Sequence, residues 1–180
     1  LKNGAVIWCP EQKDYSHRHL LSQAEVWHVL DAMHTQEITP FLFTLDTAGH
    51  HAVYHGKLKS EAENRLAQLF EDERPLPLEP IAAMPKDVHV INLSGMGPAA
   101  DISTIVNSVA NEDGLVAYTG TAIQSQGLSW MDIHHSYGSK GNGISTLREE
   151  LGYEDIIVFG DGDNDLSMFA VADEAYATAN

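Results

Sequence analysis

The distribution of apolar positions along the chain predicts short strands that alternate with amphipathic helices. Apolar residues recur at helical spacing from residue 22 to about residue 34, and Ser22 is a suitable N-cap for this helix. The same spacing predicts helices at residues 60–70, 102–110, 141–151 and 165–172. Apolar runs predict strands at residues 5–8, 41–45, 51–54, 88–93, 115–123, 128–133 and 156–159. The polar segment 10–19 is expected to be a loop.

These elements form two patterns, which indicate two domains. Between about residues 20 and 130, hairpin-like strand pairs alternate with helices, which is typical of an α+β domain. The last fifty residues form a helix–strand–loop–helix unit typical of a parallel α/β sheet. Within it, residues 156–159 are β-branched or aromatic, which predicts a strand buried on both faces. Prolines at positions 75, 77, 80 and 85 exclude a helix or a central strand in that stretch.

Composition and charge limit the classes of function. Hydrophobic residues make up 43% of the 180 residues and charged residues 20%, as in an ordinary globular protein. The formal charge of -16 disfavours nucleic-acid binding, because such a surface repels phosphate backbones. No apolar run is long enough to cross a bilayer, so no membrane partner is expected. The one cysteine, Cys9, excludes an internal disulfide and fits a cytoplasmic protein.

A loop rich in aspartate and glycine, residues 159–165, is the strongest chemical signal. It follows a predicted buried strand and precedes a helix, which is where open parallel sheets bind ligands. Asp161 and Asp165 supply carboxylates suited to Mg²⁺, which proteins bind through one or two carboxylates together with phosphate. A solvated acidic turn that caps a helix is the alternative. An EF-hand is excluded, because Leu166 and Ala172 stand where that loop needs glycine and glutamate.

Lys140 is the second signal, twenty-one residues before Asp161 and at the start of a predicted helix. The helix macrodipole disfavours a lysine there, unless an anion such as a phosphate group lies between the two positive features. An exposed loop lysine without a ligand is the alternative. The combination of Lys140 and the aspartate loop, separated by one helix and one strand, favours phosphate chemistry.

These motifs together resemble motifs three and four of the haloacid dehalogenase (HAD) superfamily. Ser-Lys-Gly at residues 139–141 is similar to motif three, and the loop 159–165 with Met168 is similar to motif four. The chain resembles in particular the Cof-type sugar phosphatases, in which an α+β cap is inserted into a Rossmann-like core. Asn-Gly-Ala at residues 3–5 resembles the tripeptide before the cap, residues 131–133 the strand that leaves it, and residues 178–180 the segment after motif four.

The resemblance implies an α/β fold with two domains. A partial Rossmann-like HAD core is expected at residues 1–19 and 133–180, with an inserted α+β cap domain at residues 20–132. Caps of this type close over the core and shape the pocket, so the cap is expected to determine substrate specificity.

The resemblance also implies roles for individual residues. Lys140 corresponds to the lysine that stabilises the nucleophile and the transferred phosphate. Asp161 corresponds to the aspartate that binds Mg²⁺, and Asp165 to the one that supports the metal or its waters. Asn164 corresponds to the residue that contacts phosphate.

The nucleophile itself is expected upstream of this chain. In the family, the nucleophile and the general acid/base form an Asp-x-Asp motif before the segment that residues 3–5 resemble, and the motif-two Ser/Thr is also upstream. The chain as given is therefore expected to be inactive. Asp46, which follows the apolar run 41–45, is an alternative nucleophile. However, Ala48 stands where a second aspartate should protonate the leaving group, and the position fits a cap hairpin better.

Other candidate residues are weaker. His50, His51 and Tyr54 lie where, by resemblance, a cap loop faces substrate, so they are candidate substrate-binding residues. Three histidine pairs lack a third ligand at zinc spacing and are expected on the surface or in hairpins: His17 and His19, His50 and His51, and His134 and His135. Trp27 and Trp130 are expected to be packing residues and not binding platforms.

The expected function is Mg²⁺-dependent hydrolysis of a small phosphorylated metabolite, such as a sugar phosphate, through an aspartyl-phosphate intermediate. A catalytically inactive HAD-like fragment is the first alternative. The phosphorylation domain of a P-type ATPase is the second, but Ser-Lys-Gly at residues 139–141 resembles the Cof-type motif better. No oligomeric state is predicted.

Overall fold

A computed structural model of the chain describes residues 2–73, 76–122 and 127–178. The chain forms two compact units, one of residues 1–19 and 135–180 and the other of residues 20–134. The second boundary lies at residues 134–135 and not at the predicted residues 132–133, and the identification of the units as core and cap stays a prediction. Pro75, Ile123 and Asn180, which were part of sequence predictions, lie outside the described residues.

The helices and strands follow the predicted order closely. The strands are β1 Val6–Cys9, β2 Asp14–Arg18, β3 Phe41–Leu45, β4 His51–His55, β5 Leu78–Pro80, β6 His89–Pro98, β7 Leu115–Thr121, β8 Leu128–His135, β9 Ile157–Gly160 and β10 Glu174–Ala177. The α-helices are α1 Gln23–Thr35, α2 Glu61–Glu73, α3 Ala99–Val109, α4 Lys140–Leu151 and α5 Leu166–Phe169. Short 3₁₀ turns lie at Lys2–Gly4, Ile81–Ala83 and Asp163–Asp165.

A six-stranded sheet with the order β5-β4-β3-β6-β8-β7 forms the centre of the unit of residues 20–134. The pairs β3–β4, β3–β6 and β6–β8 are antiparallel, whereas β5 is parallel to β4. The described part of the proline-rich stretch contributes the three-residue β5 to the sheet, at its edge. Proline is tolerated at that place because an edge strand has no second neighbouring strand, so the backbone N–H that proline lacks is not needed there.

Both faces of β3 are covered, so its five residues are all buried. On one face, Leu42 packs in a cluster that includes Met33 of α1 and Ile102 of α3. On the other face, Phe70 of α2 meets the rings of Phe41 and Phe43 edge to face, with centroids 5.5 and 5.1 Å apart. Burial of each such side chain contributes about 1.5–3 kcal/mol, so this layered packing is a main source of the unit's stability.

The helix ends confirm two local predictions. Ser22 caps α1 in a capping box, in which its hydroxyl accepts from the Glu25 backbone N–H at 3.3 Å. The Glu25 carboxylate accepts in return from the Ser22 backbone N–H at 2.6 Å. Helix α4 ends at Leu151 and is capped by Gly152, whose φ of 68° is the left-handed conformation that glycine adopts without strain.

The segment 10–19 was predicted to be a loop, and that prediction is wrong. Residues Asp14–Arg18 form β2, which pairs antiparallel with β1. The pairing brings Trp8 and Tyr15 edge to face with centroids 5.1 Å apart. The strand is polar because it lies in an exposed two-stranded ribbon, so its sequence has too few apolar residues to reveal it.

The last strands differ from the prediction in burial. Strand β9 pairs in parallel with β10, a strand that the sequence analysis missed, and α5 is shorter than the predicted helix at 165–172. Burial on both faces is wrong for β9, since Val158 is buried but Phe159 is 72% exposed. Among the described residues, β9 has β10 as its one sheet neighbour, and the Phe159 ring stacks only on Tyr176, at 5.2 Å.

None of the helices within the described ranges combines the length and the apolar character that a bilayer span requires.

Candidate active site

The start of α4 positions Lys140, the first residue of that helix. Ser139 is the N-cap, and its hydroxyl accepts from the Asn142 backbone N–H at 3.1 Å. The turn at Lys2–Gly4 packs directly against this cap. A Cβ on Gly4 would lie 2.3 Å from the Ser139 carbonyl oxygen, and Gly4 also has a φ of 101°. Only glycine therefore allows the two segments to approach this closely.

The Lys140 ammonium forms an ion pair with the Asp165 carboxylate. Asp165 is 2% exposed, and its second oxygen accepts from the backbone N–H groups of Asp161 and Gly162 at 2.9 and 3.1 Å. Burial raises the pKa of the Asp165 carboxyl, but the Lys140 ammonium and the two backbone N–H groups outweigh it and hold this pKa below its usual value. Asp165 is thus an ionised anchor for both Lys140 and the loop.

Two glycines allow the close contacts around Asp165 and between α4 and α5. A Cβ on Gly160 would lie 2.6 Å from the Asp165 carboxylate, so a side chain there would displace it. A Cβ on Gly141 would lie 2.2 Å from the backbone oxygen of Ser167, whose hydroxyl accepts from the Gly141 N–H at 3.1 Å. The close contact between α4 and α5 therefore depends on glycine at position 141.

Asp161 directly follows β9, and its side chain is exposed. Within the described residues its carboxylate accepts no hydrogen bond, so both oxygens are available to a ligand. Asp163 is exposed in the same loop. The predicted metal ligands thus differ in their surroundings, because Asp165 is committed to Lys140 and to backbone donors.

Asn164 donates from its side-chain amide to the Asn3 side-chain oxygen at 3.1 Å. Asn3 adopts a φ of 56°, a left-handed conformation that asparagine tolerates better than most residues. Asn3 was not predicted to be a site residue, although it belongs to the Asn-Gly-Ala motif at residues 3–5. That tripeptide was the signal that could have identified it.

The donor set of this loop fits Mg²⁺. In the described part of the chain, no three His, Cys, Asp or Glu side chains come close enough together to form a complete metal cluster. Mg²⁺ does not need one, because it keeps several waters and binds through one or two carboxylates plus phosphate oxygens. The exposed Asp161 carboxylate, with Asp163 in the same loop, meets that requirement.

The candidate substrate residues lie in the other unit. His50, His51 and Tyr54 contribute to the lining of a cleft of about 520 Å³. His50 is exposed and its ring lies 3.0 Å from the Asp46 carboxylate, whereas Tyr54 is 8% exposed. The structure therefore brings Lys140 and the residues of the 161–165 loop together within one unit, and these three residues together within the other.

Asp46 is engaged in the β3–β4 hairpin. One carboxylate oxygen accepts from the backbone N–H groups of Ala48 and His50, both at 2.8 Å. The pKa of the Asp46 carboxyl is lowered, mainly by the hydrogen bond from the His50 backbone N–H. The His50 ring and the Ala48 N–H lower this pKa further. These contacts are those of a residue that stabilises a turn.

The whole chain, residues 1–180, matches the sequence model of the haloacid dehalogenase-like hydrolases. The chain belongs to this family. It is also 30% identical over 121 residues to the Bacillus subtilis protein named "Putative phosphatase YxeH". That match covers 66% of the chain and 43% of the relative, so the chain aligns with less than half of the relative's length.

Three solved structures, two of them described as HAD proteins, have the same fold. A HAD-like hydrolase from B. subtilis superposes with a TM-score of 0.75 at 17% identity, covering 97% of this chain and 66% of that one. The protein SMU.1108c from Streptococcus mutans gives 0.72 at 19% identity, covering 99% and 64%. BT4131, described as a HAD subclass IIB sugar phosphatase, gives 0.65 at 16% identity, covering 97% and 68%. The predicted α/β fold of HAD type is confirmed.

Proposed function

We propose that this chain belongs to a Mg²⁺-dependent phosphatase that hydrolyses a small phosphomonoester. The observation that carries the proposal is the ion pair between Lys140 and Asp165, formed beside the exposed Asp161 at the carboxyl end of β9. Membership of the HAD-like hydrolase family supports the same activity. A lysine and a carboxylate loop at this edge of an α/β sheet are suited to phosphoryl transfer.

Lys140 is the proposed phosphate-binding and charge-stabilising residue. One of its three ammonium protons is directed to Asp165, which leaves donors for the oxygens of a phosphate group. Asp165 fixes the position of that ammonium, so it acts as a positioning residue. The Asn164 amide, held by Asn3 at 3.1 Å, is the second proposed phosphate donor.

Asp161 is the proposed Mg²⁺ ligand, and Asp165 supports the metal site by fixing the backbone of the loop. When bound, Mg²⁺ would neutralise the charge that develops on the transferring phosphoryl group. The strongly acidic chain makes such local cations necessary, because its formal charge of -16 opposes the approach of an anionic substrate.

The nucleophile is proposed to be an aspartate outside this chain. Its carboxylate oxygen would form a bond to phosphorus while the ester P–O bond breaks, and the second aspartate of the expected upstream Asp-x-Asp motif would give its proton to the leaving alcohol. Water would then hydrolyse the aspartyl-phosphate to release phosphate. Asp46 is less suited to this role, because its carboxylate is occupied by the hairpin N–H groups and by His50.

A sugar phosphate or a similar phosphorylated metabolite is the proposed substrate. One structural relative is described as a sugar phosphatase, which supports this class. His50, His51 and Tyr54 are proposed to contact the substrate body, since they line one polar cleft with donors that suit hydroxyl groups. Cytoplasmic location is part of the same proposal, because a metabolite of this kind is an intracellular substrate.

The experiment is hydrolysis of an aryl phosphate with and without Mg²⁺, by this chain and by a version extended with its upstream coding sequence. Metal-dependent turnover by the extended version, lost in Asp161→Asn and kept in Asp46→Asn, supports the proposal. Turnover by the chain itself that Asp46→Asn abolishes would identify Asp46 as the nucleophile. No turnover by either version would favour the alternative, a catalytically inactive HAD-like protein.

A further inference from the structure

A different cleft in the unit of residues 20–134 takes no part in the proposed reaction. Its volume is about 490 Å³, and its walls come from one side of α1, the segment that follows α1 and the segment that follows β4. We name it the Trp27 cleft, after the residue at its edge. Cavities of roughly 300–1,000 Å³ are the size that proteins use for small organic ligands.

Trp27 offers an exposed aromatic surface to this cleft. Trp27 was predicted to be a packing residue, and that prediction is wrong, because the residue is 65% exposed. Leu30 lies one turn further along α1 and, with Ile38 and Pro40, adds apolar surface to the same lining. An exposed tryptophan beside aliphatic side chains is suited to stacking against a flat ring.

The charge of the Trp27 cleft is opposite to that of the chain. Lys57 and Lys59 both contribute to the lining, and against them stands one acidic residue, Asp31. Neither lysine forms a salt bridge with any described residue. In a chain with 26 acidic and 10 basic side chains, two lysines that form an ion pair with no described carboxylate, beside one aromatic surface, form a local positive site.

Hydrogen bonds to backbone carbonyls hold the cleft walls in place without a ligand. The Gly56 N–H donates to the Pro40 carbonyl at 2.9 Å, and the Thr39 hydroxyl donates to the Lys57 carbonyl at 3.2 Å. The Lys59 ammonium donates to the Glu37 carbonyl at 3.1 Å. Because these bonds join the two wall segments, a ligand would meet a preformed site and would lose little free energy in ordering it.

We propose that the Trp27 cleft binds a small aromatic anion. The ring lies against Trp27 and Leu30, and the acidic group lies near Lys57 and Lys59. A neutral aromatic compound would gain the ring contact but not the charge contact, and an aliphatic anion would gain the reverse. A ligand that carries both a ring and an acidic group uses the tryptophan and the two lysines at once.

The test uses naphthalene carboxylate as the probe and its neutral carboxamide as the matched ligand. Two-dimensional NMR of the full chain follows the Trp27 indole N–H, assigned by Trp27→Phe. We expect a saturable shift of that signal with the carboxylate and at least about tenfold weaker binding of the carboxamide. Trp27→Ala should weaken carboxylate binding by about tenfold.

The double variant Lys57→Gln/Lys59→Gln should remove the preference for the carboxylate, whereas Lys86→Gln, an exposed lysine outside the cleft, should preserve it. Equal binding of carboxylate and carboxamide would overturn the proposal. An equal loss in Lys86→Gln would do so too, because it would show attraction to charge in general. Circular dichroism checks each variant, and if Trp27→Ala fails to fold, the lysine variants decide the outcome.

Discussion

The Lys140 ammonium and the buried Asp165 carboxylate form an ion pair that joins the first turn of α4 to the loop after β9. The same carboxylate accepts two backbone N–H groups of that loop. Three donors on one buried anion form a small network. Such a network is costly to break because its buried polar groups are then left without hydrogen-bond partners. This network holds the proposed phosphate-binding lysine beside the proposed metal ligand.

Replacement of Asp165 should therefore reduce stability. Asp165→Asn removes the charge that Lys140 and two N–H groups stabilise, and we expect the free energy of unfolding to fall by about 2 kcal/mol. The figure is moderate because the Lys140 side chain is 32% exposed and water partly screens the pair. Urea denaturation measures it. Asp163→Asn, in the same loop but exposed, is the control and should change stability by less than about 0.5 kcal/mol.

The contribution of Asp165 should depend on pH. Because its pKa is below the usual value, the stabilisation is complete above the unfolded-state pKa of about 3.9 and is lost as pH falls through the lower native pKa. The stability difference between the parent chain and Asp165→Asn should be constant near neutrality and shrink below about pH 4. A difference that stays constant down to acid unfolding would contradict the assigned pKa direction.

Two glycines of α4 provide a matched pair. Gly141→Ala places a Cβ 2.2 Å from the Ser167 backbone oxygen and should cost about 1–3 kcal/mol through overpacking. Gly143→Ala meets nothing closer than 3.7 Å, so it should be neutral or stabilising by up to about 1 kcal/mol through helix propensity. Thermal unfolding compares the two. Equal effects of both substitutions would mean that the α4–α5 contact does not require glycine at position 141.

A buried polar network crosses strands β6 and β8. Asn92 donates to the Ser94 hydroxyl at 2.7 Å, and that hydroxyl donates to the Asp132 carboxylate. Ser94→Ala leaves Asp132 with the longer contact from Asn92, at 3.3 Å, and should cost about 1–3 kcal/mol. Chemical denaturation checks this. Thr104→Ala removes an exposed helix hydroxyl as the control, and a cost as large there would show that hydroxyl loss alone explains the result.

The parts of the fold that sequence predicted well depend on local signals. The periodicity of α1 and its cap at Ser22 lie within a few residues of each other, as do the end of α4 and Gly152. Strand β2 and the exposure of Phe159 were missed because they depend on which strand lies next to them. Neighbouring strands are a long-range property, so the burial of a short apolar run cannot be read from its own residues.

The candidate site divides in the same way. Lys140 and the loop 161–165 were found from motif order, and the structure brings them together in one unit. The pairing of Asn164 with Asn3 was missed, since 161 residues of sequence separate them. Trp27 was misjudged for a related reason. The helical spacing of Trp27, Leu30 and their neighbours gives no sign of which side of α1 the rest of the chain covers.

Binding of Mg²⁺ to the loop after β9 tests the central claim most directly, because it does not require the proposed upstream nucleophile. Two-dimensional NMR of the chain during a Mg²⁺ titration should show saturable shifts of the Asp161 and Gly162 amide signals. Asp161→Asn should abolish them, whereas Asp155→Asn, which alters an exposed aspartate before the start of β9, should not. Shifts that survive Asp161→Asn, or no shifts at millimolar Mg²⁺, would contradict the assignment of this loop as the metal site of a HAD phosphatase.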